Sequence, residues 1–168
     1  MSLPTTCDLS DDHPDARVVV ADLRDFGGRE AFAGEAVVVR CHDPEDTDPG
    51  VPDNTLVKQL CGTPGEGRVL VVDAGALLGH AVLGDLIAAD AVAHGWSGLL
   101  VVGAVRDVEI LRTLDLGVKA LGAVPRKSVR RGLGARDTTC DLGGVTIASG
   151  DHVYADATGV LVSSTPLA

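Results

Sequence analysis

Aromatic side chains are almost missing from this 168-residue chain: they make up 2% of it, against 45% hydrophobic residues in all. The core must therefore be built from Val, Leu, Ile and Ala, which favours β-branched strands packed by alanine-rich helices. Basic residues are few as well, with 14 Lys and Arg against 24 Asp and Glu and a formal net charge of −10. Such a surface repels phosphates, so no nucleic-acid partner is expected. The four cysteines, Cys7, Cys41, Cys61 and Cys140, make neither a CxxC pair nor a zinc spacing. They read as buried or partly buried free thiols. No apolar run reaches the length of about eighteen residues that a membrane span needs, and no signal-peptide pattern comes before the first strand. The expected setting is a reducing cytoplasm, with no membrane contact. The length fits one domain over residues 1–168.

What the chain does have is a series of short apolar runs. Residues 17–21 and 35–41 read as strands, with a turn at Phe26-Gly27-Gly28-Arg29 between them. Residues 42–53 hold three prolines and several acids and read as an exposed loop. Residues 54–60 read as a helix with Asn54 as its cap and Gly62 beyond its end. Residues 69–72, 99–102 and 118–123 read as strands, the first two apolar throughout and so buried on both faces. Helices at 85–94, closed by Gly95, and at 107–114 lie between them. This alternation predicts a parallel sheet with crossover helices. Residues 138–142, 145–148, 152–155 and 160–163 are short strands separated by glycine turns, which predicts a second, mostly antiparallel sheet.

Asp85 is followed, after twenty intervening residues, by Arg106-Asp107. Gly84-Asp85 opens one helix, and Arg106-Asp107 lies where a buried strand gives way to another. Two carboxylates and a guanidinium are thus delivered to the ends of neighbouring elements. A carboxylate pair can hold a hard divalent cation through oxygen. An adjacent Arg can grip a substrate carboxylate or a developing oxyanion. On residue types alone, a helix-capping Asp and a surface ion pair explain the same three residues.

The segments VLVVDAGALLGHAVLGD, GWSGLLVVGAVRD, LDLGVKALGAVPRKS and GGVTIASGDHVYADATGVLVS resemble the regulator of ribonuclease activity A (RraA-like) family over residues 22–163. That family includes the 4-hydroxy-4-methyl-2-oxoglutarate aldolases, and the Asp-x20-Arg-Asp spacing matches the signature of their active branch. An older methyltransferase label for the family finds no glycine-rich signature here. The resemblance implies an α/β fold of the three-layer β/β/α swivelling-domain type, with a partly parallel central sheet and a second antiparallel sheet. It also implies a homotrimer with sites at subunit boundaries.

For the site, the resemblance implies that Asp107 binds a divalent metal, Mg²⁺ or Mn²⁺, with waters filling most of the shell. Asp85 would hold one of those waters, and Arg106 would contact the pyruvyl part of the substrate. The backbone amides of Leu86 and Ile87 would bind its carboxylate, a role that suits a helix N-terminus on physical grounds. Gly79 and Gly84 would let the loop approach a ligand, or serve as plain turn residues. Asn54 would lie near the substrate, cap its helix, or both. A basic residue beyond Pro125 is also implied, with Lys127 and Arg130 as equal candidates. The cluster Arg126, Lys127, Arg130 and Arg131 reads as a solvated or anion-facing loop. His80 is close in sequence to the site and reads first as a surface or packing residue. The longer aldolases of the family carry a C-terminal extension that lends an acid to the neighbouring site. This chain reaches Ala168 without one, a departure that bears on substrate identity and rate more than on metal binding.

Two functions follow as expectations. One is a metal-dependent lyase that cleaves pyruvyl α-keto acids through a pyruvate enolate, by retro-aldol cleavage or by oxaloacetate decarboxylation. The other is a trimer that binds and inhibits an endoribonuclease, its acidic surface meeting a basic segment of that enzyme.

Overall fold

The structure, a computed structural model, describes residues 2–43, 45 and 50–168. Its framework is a mixed sheet of ten strands. The parallel centre runs β3 (Phe32–Arg40), β4 (Val69–Asp73), β6 (Gly98–Val105) and β7 (Gly117–Ala123). The short β5 (Ala81–Leu83) pairs with β6, also in parallel. Antiparallel strands complete it. These are β1 (Arg17–Val19), β12 (Val160–Ser163) and β11 (His152–Ala155) beyond β3, β8 (Ala135–Arg136) on β3, and β2 (Arg24–Asp25) beyond β7. A separate hairpin of β9 (Thr139–Leu142) and β10 (Val145–Ala148) forms the second sheet. The helices are α1 (Thr6–Asp12), α2 (Thr55–Cys61), α3 (Asp85–Ala93) and the single turn α4 (Val108–Leu111).

Strand alternation divides the core into two faces. Leu70, Val72, Leu99 and Val101 point toward Val57 and Leu60 of α2, Ile87, Ala88 and Ala91 of α3, and Leu111 of α4. Val69, Val71, Leu100 and Val102 point the other way, toward Cys140, Leu142, Val145 and Ile147 of the hairpin. The order hairpin, sheet, helices is the expected three-layer β/β/α arrangement. All eight residues of β6 are buried, which explains why that strand has no polar alternation. The few aromatic residues are used sparingly. Phe32 lies across β6 and β7 where a Cβ on Gly98 or Gly117 would come within 2.4 or 2.0 Å of its ring, so glycine there makes room for the ring.

Several expectations need correction. The four C-terminal strands do not form one sheet: β11 pairs with β3 and extends the main sheet, and only β9 and β10 stand apart. The helix expected over 107–114 is one turn long. Its continuation is made of tighter bonds, Thr113 N to Ile110 O and Leu114 N to Leu111 O, and the Thr113 hydroxyl also takes the Ile110 carbonyl. The first strand stops at Val19, after which the Val20 amide donates to Gly143 O in the hairpin. The loop reading of 42–53 lies partly outside the described residues. Cys41, Cys61 and Cys140 are buried, but Cys7 is exposed on α1. Burial pushes the Cys61 and Cys140 thiols up to about 12, and the Cys41 thiol higher still, so these three are inert packing groups. Among the described residues, no helix is long and apolar enough to cross a membrane.

Candidate active site

In parallel α/β sheets, ligands gather outside the carboxyl ends of the strands. Here those ends carry the residues that the sequence singled out. Gly84 and Asp85 follow β5, Arg106 and Asp107 follow β6, and the basic segment 126–131 follows β7. A cleft of about 410 Å³ opens among them, lined by Asn54, Leu83, Gly84, Asp85, Leu86, Ile87, Arg106, Lys127, Ser128, Arg130 and Arg131 among others. Four basic side chains and one acidic side chain face it. A protein of net charge −10 thus concentrates positive charge at one concave place, the arrangement that draws in an anion.

The N-terminus of α3 forms one wall. Its first closing bond is Ala88 N to Gly84 O at 3.1 Å, so the amides of Asp85, Leu86 and Ile87 precede the helical ladder. Two carboxylates already use this end. Asp107 Oδ2 accepts from Asp85 N at 3.1 Å, and Asp85 Oδ1 accepts from Leu86 N at 2.9 Å. The Asp107 carboxylate therefore caps α3 from another element, and Gly84, the N-cap residue, contributes no side chain. Gly84 has extended backbone at φ −132°, which any residue adopts. It is required for space: a Cβ there would lie 2.7 Å from Asp107 Oδ2 and 3.3 Å from Arg106 Nε.

Arg106 Nε stands 3.7 Å from Asp107 Oδ2, and its Nη1 donates to Pro125 O at 3.3 Å. Arg106 also lines a second cleft of about 360 Å³, together with Asp107, Glu109 and Pro125. The two clefts meet at this guanidinium, the first mostly cationic, the second acidic. Asp107 adopts left-handed backbone, φ 54° and ψ 41°. Such a conformation is uncommon for a residue with a Cβ and is often retained at functional sites.

Asn54 occupies the N-cap position of α2, but its side chain does not cap. The carboxylate of the preceding Asp53 takes the Thr55 amide instead, at 2.9 Å. Asn54 is left to donate to Val82 O at 3.3 Å and to accept from Arg130 Nε at 3.1 Å. The cap reading is not realised by the side chain, and Asn54 lines the cleft. Lys127 and Arg130 both line the cleft, and Arg130 is the one tied to Asn54. Gly79 is not brought in: it lines neither cleft. His80 also lines neither cleft, and its buried Nδ1 has no hydrogen-bond partner among the described residues. Reasoning from the sequence missed Asp53 and Ser128, and had Arg131 only as a member of the basic cluster. The Asp-x-Thr pattern at 53–55, a local capping turn, was the available signal for the first.

Among the described residues, no group of three or more His, Cys, Asp or Glu side chains gathers as a metal cage. The donors near Arg106 are carboxylate oxygens, with neither thiolate nor imidazole. This set does not suit zinc, but it suits a hard cation that keeps most of its waters and takes one or two protein carboxylates. The space in front of Asp107 Oδ2, which a Cβ on residue 84 would fill, is compatible with such an ion.

The sequence model of the RraA-like family, Aldolase/RraA, matches residues 6–162. The chain belongs to this family. A relative from Xanthomonas campestris pv. campestris (strain B100) is 48% identical over 163 residues, covering 97% of this chain and 93% of its own. It carries the provisional name 4-hydroxy-4-methyl-2-oxoglutarate aldolase. Among solved structures, the RNA-processing inhibitor RraA from Thermus thermophilis superposes with a TM-score of 0.88 at 38% identity, covering 99% of this chain and 95% of that one. A Geobacillus kaustophilus protein named as an S-adenosylmethionine:2-dimethylmenaquinone methyltransferase also gives 0.88, at 35% identity over 98% and 97%.

Proposed function

We propose that this RraA-like protein is a divalent-metal-dependent carbon–carbon lyase acting on pyruvyl α-keto acids, a 4-hydroxy-4-methyl-2-oxoglutarate aldolase that also decarboxylates oxaloacetate. The observation that carries this reading is the meeting of Arg106 and the α3 N-terminus on one cationic cleft, with Asp107 bonded to that helix end from the adjoining acidic cleft. The provisional names of relatives at 44–48% identity support it. Asp107 would hold the ion, Mg²⁺ or Mn²⁺. When bound, that ion supplies the Lewis acid that polarises the substrate ketone.

The chain's own residues would do the rest. The substrate's C1 carboxylate takes the amides of Leu86 and Ile87, displacing the Asp85 side chain from the first of them. Freed in this way, Asp85 orients the water that removes the C4 hydroxyl proton. The C3–C4 bond then breaks, its electron pair moves to the C2 oxygen as an enolate, and pyruvate leaves as the second product. Arg106 faces the oxygen on which charge develops and stabilises it. A proton returned to C3 completes the first pyruvate. Oxaloacetate reaches the same enolate by losing CO₂. Asn54 and Arg130 hold the distal end of the substrate.

The assembly we propose is a homotrimer, consistent with the family. Leu86 is 78% exposed at the cleft, with Leu78 and Ile110 about half exposed. A second copy would cover such apolar side chains.

A second reading, a binding protein that restrains an endoribonuclease, is favoured by the likeness to the Thermus RNA-processing inhibitor and by the acidic surface. One assay separates the two. Purified protein is given 4-hydroxy-4-methyl-2-oxoglutarate or oxaloacetate with Mg²⁺, Mn²⁺ or EDTA. Metal-dependent release of pyruvate is expected. No turnover with any α-keto acid, together with metal-free capture of a ribonuclease, would replace the lyase reading with the second.

A further inference from the structure

The basic segment 126–133 is largely exposed, carries three of the four cations of the cleft, and belongs to no regular element beyond two isolated bridges. Something must hold it in place over the cleft. One end is tied by backbone, with Ala81 N donating to Arg126 O at 2.7 Å and Ser128 N to Ala81 O at 2.9 Å. The other end is tied to a side chain. Asp53 is only 1% exposed. Its Oδ2 accepts the Arg131 amide, its carboxylate also takes the Leu133 amide, and its Oδ1 accepts the Thr55 amide at 2.9 Å and the Thr55 hydroxyl at 2.6 Å. That same hydroxyl oxygen accepts from Gly132 N at 3.0 Å. Backbone bonds between Asn54 N and Val129 O and between Val129 N and Pro52 O complete the join.

We infer that Asp53 is a positioning residue. One buried carboxylate gathers the amides of residues 131 and 133 and so fixes Arg130 and Arg131 at the rim, where they read the second anionic group of the substrate. The chemistry of the group fits this role. A carboxylate is acceptor-only when ionised and offers two oxygens to several donors at once. Burial pushes the Asp53 carboxyl up, but its bonds to Thr55, Arg131 and Leu133 outweigh this and hold it below the usual carboxylate range. It therefore stays an acceptor at neutral pH. Asp53 itself lines neither cleft, so it acts through the segment and touches no substrate. The inference rests on the lyase reading for its substrate and on the structure alone for its anchor.

The test uses Asp53→Asn in the full chain. The amide nitrogen of Asn brings N–H groups toward N–H donors that need an acceptor. Hydrogen exchange of the 129–133 amides is expected to rise at least tenfold, with the α3 amides unchanged. KM for oxaloacetate, which has two carboxylates, is expected to rise fivefold or more, with kcat within twofold of the parent. Inhibition by pyruvate, which has one carboxylate, should keep its constant within twofold. Thr55→Val removes only the hydroxyl that joins Asp53 to Gly132, and it should give the same split at smaller amplitude. Unchanged exchange in both variants overturns the proposal. So does a fall in kcat together with weaker pyruvate inhibition, the mark of a site that has merely collapsed. If the parent turns over no α-keto acid, the lyase reading fails on its own. Exchange at 129–133 then decides the anchor by itself: a rise supports it and no change refutes it.

Discussion

Asp107 is asked to do two things that pull against each other, and substitutions can separate them. Its left-handed backbone, φ 54° and ψ 41°, costs an L-residue about 1–2 kcal/mol, less for Asp and Asn than for most. Its carboxylate offsets this by accepting from Asp85 N at the α3 terminus, a capping bond worth about 1 kcal/mol. Asp107→Gly loses the cap and relieves the strain, so the two changes nearly cancel. Asp107→Asn tolerates the left-handed conformation and keeps an amide oxygen for the cap. Asp107→Ala loses the cap and raises the strain, because Ala tolerates left-handed backbone less well than Asp, a net cost of about 2 kcal/mol. At about 2–4 °C per kcal/mol for a chain near this size, Ala should melt some 4–8 °C below the parent. Gly and Asn should stay within about 3 °C of it. Turnover tells the opposite story: all three variants lack the carboxylate, so metal-dependent pyruvate release should fall at least about a hundredfold in each, Asn included. Calorimetry and a coupled pyruvate assay on the four proteins are sufficient. Ala and Gly melting together would refute the strain argument. An Asn variant with turnover near the parent's would refute the carboxylate's role.

Gly84→Ala should leave the fold intact, because the backbone there is extended, while cutting turnover at least about tenfold as its Cβ displaces Asp107 Oδ2 and Arg106; a variant with parental activity would show that this space is not used. Asp156 ties α1 to the β11–β12 turn. Burial pushes its carboxyl up, but the Thr6 amide and hydroxyl and the Thr158 and Gly159 amides hold it below the usual range. Its stabilisation is therefore complete above pH of about 4 and is lost as pH falls through the lower folded value. Asp156→Asn should cost about 1–3 kcal/mol at pH 7 and flatten the acid limb of the melting curve, and an acid limb identical to the parent's would refute this assignment.

The sequence made some parts of this molecule plain for physical reasons. β4 and β6 are buried on both faces, so they appear as unbroken apolar runs. α3 ends at a glycine with φ 77°, a standard stop signal. Pairing partners were not legible. β11 and β12 read locally as hairpin strands like β9 and β10, and only long-range pairing with β3 separates them. At 53–55, Asp and Asn are both good capping residues, and local pattern cannot say which one caps. In the fold Asp53 does, and that choice frees Asn54 to reach Val82 and Arg130. The left-handed turn at Asp107 was equally hidden, because Asp tolerates it without the glycine that would have marked it.

The spacing between Asp85 and Arg106 has a structural origin that explains why it is informative. Asp85 is the first residue of α3, which runs to Ala93; a turn covers 94–97; β6 runs from Gly98 to Val105, and Arg106 is next. The interval is thus one helix, one turn and one strand, the length of a crossover that leaves the carboxyl edge of the sheet and returns to it. Two residues separated in this way must meet at that edge, whatever chemistry they perform. The generic geometry brings them together, and the particular side chains decide the chemistry available there. Asp85 N then reaches Asp107 Oδ2 at 3.1 Å, an approach that a Cβ on Gly84 would obstruct. Changing the length of the crossover by one residue would rotate the next residue to the opposite face of β6 and carry Arg106 away from the cleft. The motif is therefore better understood as a fixed path length ending in two charged groups than as three separate letters.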